Sequence, residues 1–155
     1  MVGLIFPKQF DNTYRGSRLA VWLLVLILLA KFAMAGNSLI NTRWILQSAD
    51  RIPLDTYGPG ADAVVMLFAA LALCHLLLVL LSFVVLIRYG AMIPLIYLLL
   101  SIEQIGRKAI VLMNPVIRSG ASGLPIDINV LIAALLLIGF ALSLYRRSGA
   151  AEAAQ

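Results

Sequence analysis

The run from Val64 to Ile87 is interrupted only by His75 and Ser82 and contains no residue with a fixed charge. An α-helix rises about 1.5 Å per residue and the hydrocarbon of a bilayer is about 30 Å thick, so roughly 20 apolar residues suffice to cross it. Three further apolar stretches of comparable length lie near residues 19–38, 91–113 and 126–145. The expected fold is therefore an all-α integral membrane protein, an antiparallel four-helix transmembrane bundle with helices at about 19–38, 61–87, 91–113 and 126–145.

Composition points the same way. Hydrophobic residues make up 63% of the chain and charged residues 12%, against about half and about a quarter in soluble domains. Twelve Lys and Arg against seven Asp and Glu leave a formal charge of +5. No compact basic module accompanies that excess, so a nucleic-acid partner is not expected. Membrane chains collect Lys and Arg on cytoplasmic loops, and this rule accounts for it. The lone Cys74 excludes an intrachain disulfide, a CxxC redox pair and a cysteine-built zinc site. Inside an apolar run it is expected as a small buried hydrophobe.

Three parts follow one another along the chain: an interfacial segment over residues 1–18, the four-helix domain over 19–147, and a short disordered tail over 148–155. In the first, Phe6, Phe10 and Tyr14 recur every four residues beside Lys8, Arg15 and Arg18, the pattern of a short helix on the membrane surface, although Pro7 interrupts it. The basic start, the apolar run Leu19 to Ala30 and Ala33-Met34-Ala35 together imitate a signal peptide with a cleavage site. Lys31 lies between the run and that site, and the segment is expected to remain as the first span. Residues 37–60 form the longest polar connection. Trp44 is its interfacial aromatic anchor, and Asp50, Asp55 and Tyr57 are candidate contacts for a docking partner. Arg88-Tyr89-Gly90 is short enough to demand a hairpin into the third span, where Pro94 falls in the first turn. Residues 118–125 make a second outer loop. With both termini in the cytoplasm, Lys8, Arg15, Arg18, Arg88, Arg146 and Arg147 lie inside and only Arg43, Arg51 and Arg118 outside. That asymmetry favours this orientation, and the overall character of the chain is that expected of a protein of the bacterial inner membrane.

Ionisable groups in lipid cost several kcal/mol unless paired, so each marks a candidate site. Lys31, twelve residues beyond Leu19, and Glu103, twelve beyond Ala91, both lie roughly 18 Å from the cytoplasmic edge at the helical rise. His75, twelve residues before Ile87 on a helix running the other way, reaches the same depth. Three roles are open for this layer: a Lys31–Glu103 pair with His75 that takes up or passes on a proton, a structural ion pair that fixes helix packing, or a Lys31 that snorkels outward. Arg107 follows Glu103 by four residues and shares its helix face, whereas Lys108 points away. Asp127 falls at a similar outer depth and could meet either cation, although its expected place, like that of Asp62, is a first helical turn where the dipole favours negative charge.

No nucleophile elbow, Walker loop or HExxH motif is present. Ser82 and Ser101 are expected as packing residues, and one histidine is too few for paired haem ligation within a monomer. No cofactor, metal site or catalytic activity is expected. Ala70 with Cys74, and Gly139 with Ser143, have the spacing that lets helices approach closely. The partners expected are the bilayer and other membrane proteins or further copies of the chain. The function expected is that of a non-catalytic accessory or assembly subunit of a larger membrane complex. The alternative is a homo-oligomeric proton-coupled transporter or channel using Lys31, His75 and Glu103.

Overall fold

The computed structural model describes Tyr14, residues 16–115 and residues 128–145. The interfacial segment before Tyr14, the loop over 118–125, Asp127 and the tail over 148–155 lie outside these. Among the described residues the fold is all-helical and has no strand. Five α-helices carry it: α1 (Arg18–Ile40), α2 (Thr42–Ser48), α3 (Ala61–Arg88), α4 (Ile93–Met113) and α5 (Ile128–Leu144). Two are long and apolar enough to cross a membrane, α1 and α3 with its preceding turn.

Local chemistry sets the helix ends. The Ser17 hydroxyl accepts the Leu19 N–H at 3.3 Å and caps α1. At the other end α1 runs to Ile40, and Asn41 breaks it with φ −111° and ψ 36°. The chain resumes at once as α2, the Thr42 hydroxyl donating to the Ser38 carbonyl at 2.7 Å. The long polar connection is thus partly helical. Its remainder is a tight 3₁₀ segment over Leu54–Gly60, in which Gly58 takes φ +50°, the left-handed region that glycine enters without strain. Between α3 and α4, the Met92 N–H closes a turn on the Tyr89 carbonyl at 2.8 Å. Helix α4 consequently begins at Ile93 rather than Ala91, with Pro94 in its first turn, where its missing N–H is not needed.

Hydropathy does not choose the buried face. In α1, Ala20, Leu24, Leu28, Lys31 and Ala35 are buried at spacings of three and four, while the equally apolar Leu19, Trp22 and Leu26 are exposed. Helix α1 packs along α3 on one side and α5 on the other, and α5 packs along α4. Beyond the turn that joins them, α3 and α4 have little backbone contact. The core runs through Leu24, Val79, Leu100 and Leu136, all fully buried.

Tyr97 fixes the packing of three helices. From α4 it reaches across the bundle and donates its hydroxyl to the Ala20 carbonyl of α1 at 2.7 Å. Its ring lies against Gly139 of α5, where a Cβ would come within 2.3 Å of the ring carbon Cε1. The Gly139–Ser143 spacing therefore lies at a real helix contact, and Ser143 is buried too. Ala70 and Cys74 do not: both are exposed on α3. Cys74 is not the buried hydrophobe expected, because it lies on a face of α3 that no other described helix covers. Substituting Gly139→Ala is expected to destabilise the fold by about 1–3 kcal/mol through forced displacement of a buried ring. Tyr97→Phe is expected to cost about 1 kcal/mol, since the Ala20 carbonyl keeps a helical partner. Thermal denaturation of the detergent-solubilised variants measures both, and a Gly139→Ala protein as stable as the parent would refute this account of the contact.

Candidate functional site

Polar side chains from four helices converge at mid-height of the bundle. Glu103 is the central residue of α4, His75 sits at the middle of α3, and Lys31 lies just past the middle of α1. Lys31 is 2% exposed. Its Nζ donates to Glu103 Oε2 at 3.0 Å and to Gln104 Oε1 at 2.9 Å. It does not snorkel, because its donors are satisfied inside. Gln104, also buried, passes the link on: its Nε2 donates to the Asn129 carbonyl and Oδ1 of α5, at 3.2 and 3.3 Å.

The second carboxylate oxygen is shared. Glu103 Oε1 lies 3.0 Å from Arg107 Nε, one turn along the same helix, and 3.2 Å from His75 Nδ1. The histidine is close but out of line, so Nδ1 is buried without a hydrogen bond. Counting the fixed charges alone, Lys31 and Arg107 face the single negative charge of Glu103, so two minus one leaves an excess of +1.

Four of the residues singled out in the sequence, Lys31, His75, Glu103 and Arg107, are thus brought together. Lys108 is exposed on α4, and Asp127 lies outside the described residues. Of the outer-loop candidates, Trp44 is exposed on α2, Asp55 and Tyr57 are exposed on the 3₁₀ segment, and Asp50 is half-buried. Asp62 does occupy the first turn of α3, but it also pairs with Arg43 of α2. Both partners are exposed, and such a pair contributes little. Gln104 and Asn129 escaped sequence reasoning because only ionisable groups were weighed. The available signal was a neutral amide beside Glu103 in an otherwise apolar helix.

The two serines hold no nucleophile geometry. Ser101 donates to the Tyr97 carbonyl at 2.7 Å and Ser82 to the Leu78 carbonyl at 2.8 Å, each one turn back along its own helix. What remains is a charge clamp: one carboxylate held by two fixed cations, with an imidazole beside it. No protein-family model matches the chain, and no curated protein or solved structure is significantly similar to it.

The clamp is asymmetric, and its loss should be too. Removing Lys31 leaves Glu103 with Arg107, whereas removing the Glu103 charge leaves the Lys31 ammonium buried among neutral acceptors. Glu103→Gln is expected to destabilise by about 3 kcal/mol or more, and Lys31→Met by about half that. The combination of the two should recover stability relative to Glu103→Gln alone. Equal losses for the two single variants, measured by thermal denaturation in detergent, would contradict this order.

Proposed function

We propose that the chain is a multi-pass inner-membrane protein, four antiparallel spans with both termini in the cytoplasm, that serves as a non-catalytic accessory or assembly subunit of a larger membrane complex. The single observation that carries this is the half-exposed guanidinium of Arg107. The side chain is 52% exposed on a helix whose exposed residues there include Ile102, Ile105 and Ile110 as well as Lys108, and it belongs to a cluster with one fixed positive charge in excess. A bare cation at that depth is costly in lipid, so a neighbouring protein is the natural source of its solvation.

The membrane part of the proposal rests on the outer faces. Trp22, Leu26, Leu71 and Ile87 are each more than 60% exposed, and such continuous apolar surface is rare on proteins in water. The antiparallel arrangement is supported by the mid-height meeting of Lys31, His75 and Glu103, which three alternating spans produce from their positions along the chain. The structural use of the clamp is supported by Lys31, whose bonds to Glu103 and Gln104 tie α1 to α4.

A second proposal, proton-coupled transport by a homo-oligomer, draws on one observation: His75 Nδ1 stands 3.2 Å from Glu103 Oε1 without a hydrogen bond. One experiment separates the two. The tagged chain, expressed in its native membrane and extracted in mild detergent, is expected to emerge in a stoichiometric complex with at least one other membrane protein. A clean homo-oligomer instead, with Glu103→Gln abolishing solute flux at unchanged abundance, would replace the accessory role by the transport role.

A further inference from the structure

The positive excess of the clamp reaches the outside of the bundle at one place, the cleft between α3 and α4. These helices have little backbone contact beyond their joining turn. His75 of α3 and Arg107 of α4 approach the same oxygen, Glu103 Oε1, and so lie on the same side of the carboxylate. Arg107 is directed back toward the centre of α4 by its 3.0 Å contact to Glu103, not out toward the helix end. The contact to Glu103 is through its Nε, and half of the side chain remains exposed.

The walls of this cleft leave room for a helix. Gly106, one turn from Glu103 and adjacent to Arg107, has nothing within 4 Å of the position a Cβ would take. On α3, Leu71 shares the face of His75 by helical spacing and is 68% exposed. A small residue in an open position allows a second backbone to approach closely, and close approach is what drives helix association in lipid.

We infer that this cleft receives a transmembrane helix of another membrane protein that carries an aspartate or glutamate at mid-depth. The acid supplies the second anion to Arg107, and the helix backbone passes over Gly106. This rests on the accessory-subunit proposal and names the chemistry of the partner. A second copy of the chain fits less well. Its own mid-depth acid, Glu103, is already engaged by Lys31 and Arg107, while Asp55 lies in the 3₁₀ segment before α3 and Asp62 in the first turn of α3, not at its middle. Lipid fits less well still, because headgroup phosphates lie at the faces of the bilayer, about 15 Å from its centre.

The test uses the full-length chain in its native membrane, with a photo-crosslinking residue at Leu71 and co-purification as the second readout. The crosslinked peptide is expected to come from a hydrophobic segment of another protein that contains an Asp or Glu. Gly106→Leu, which fills open space, and Arg107→Gln, which removes the cation, are each expected to lower recovery of that protein by about tenfold or more. With Gly106→Leu the chain's own abundance and thermal stability should stay unchanged, whereas recovery with Arg107→Gln, which takes one cation from the clamp, is normalised to the abundance of that variant. Neutralising the partner's acid should reproduce the loss, and Leu131→Phe, on an exposed position of α5, should not. Recovery insensitive to both Gly106→Leu and Arg107→Gln would overturn the inference, as would crosslinks from Leu71 to lipid or to a second copy alone. A wild-type chain that emerges without any partner is a different failure, that of the accessory-subunit proposal itself.

Discussion

A protonated amine with 2% exposure cannot be left to itself, and burial of Lys31 sets the terms for the middle of this molecule. Its charge needs an anion, which Glu103 supplies, and its remaining donor capacity needs an acceptor, which Gln104 supplies. Those partners lie on α4, a helix whose backbone barely approaches α1. The contact exists only because a lysine side chain is long enough to bridge the distance. Once Glu103 is fixed, Arg107 and His75 are drawn to its second oxygen, and Gln104 is turned so that its amide meets Asn129 of α5. A single buried charge thereby specifies how four helices meet. Ion pairs of this kind contribute little net stability relative to an apolar substitute, but losing one partner is costly. Their value lies in excluding other registers, each of which would strand a charge.

That service matters because the rest of the bundle offers little discrimination. In the proposed membrane setting, with an outer medium as apolar as the interior, burying leucine rather than valine gives no preference for one face over another. In α1 the residues facing inward and outward are chemically alike. Close packing has to decide instead, and it does so where small residues admit large ones. The Tyr97 ring occupies the space left by Gly139 while its hydroxyl finds the Ala20 carbonyl. This contact also bridges α1 and α4, nearer the start of both helices than the Lys31–Glu103 pair. Two polar bridges at different heights determine the rotation and the axial position of α1 relative to α4, which one bridge alone would leave free.

The helices themselves were legible in the sequence because length and apolarity are properties of a segment, and the turn around Tyr89 was legible because so few residues separate two long runs. The meeting of Lys31, His75 and Glu103 was accessible from simple counting, since helical rise converts sequence position into depth. What counting does not supply is azimuth. Cys74 was placed inside and lies outside, one residue from His75, because neighbouring positions on a helix point about 100° apart and no polarity contrast marks the boundary. Gln104 was overlooked for a related reason. Its importance comes from the lysine it meets across the bundle, seventy-three positions away, and not from any local pattern. Asn41 likewise ends α1 through its own backbone geometry, a matter of one residue that hydropathy averages away.

The same accounting explains why the bundle is unequal around its circumference. Between α1 and α3, α1 and α5, and α4 and α5, apolar side chains interlock along the helices. Between α3 and α4 the backbones come close at few places beyond the turn, although these two are joined by the shortest connection and share part of the core. A hairpin with a short turn brings two helices together at one end only. To stay in contact along their length they need a seam of matching side chains, and at the level of the clamp this seam holds His75, Glu103 and Arg107. Moving α3 fully against α4 would bury the Arg107 guanidinium with only half of Glu103 for a counter-charge. The opening between α3 and α4 is thus tied to the +1 excess of the clamp, and any anion that neutralises Arg107 removes the electrostatic obstacle to filling it.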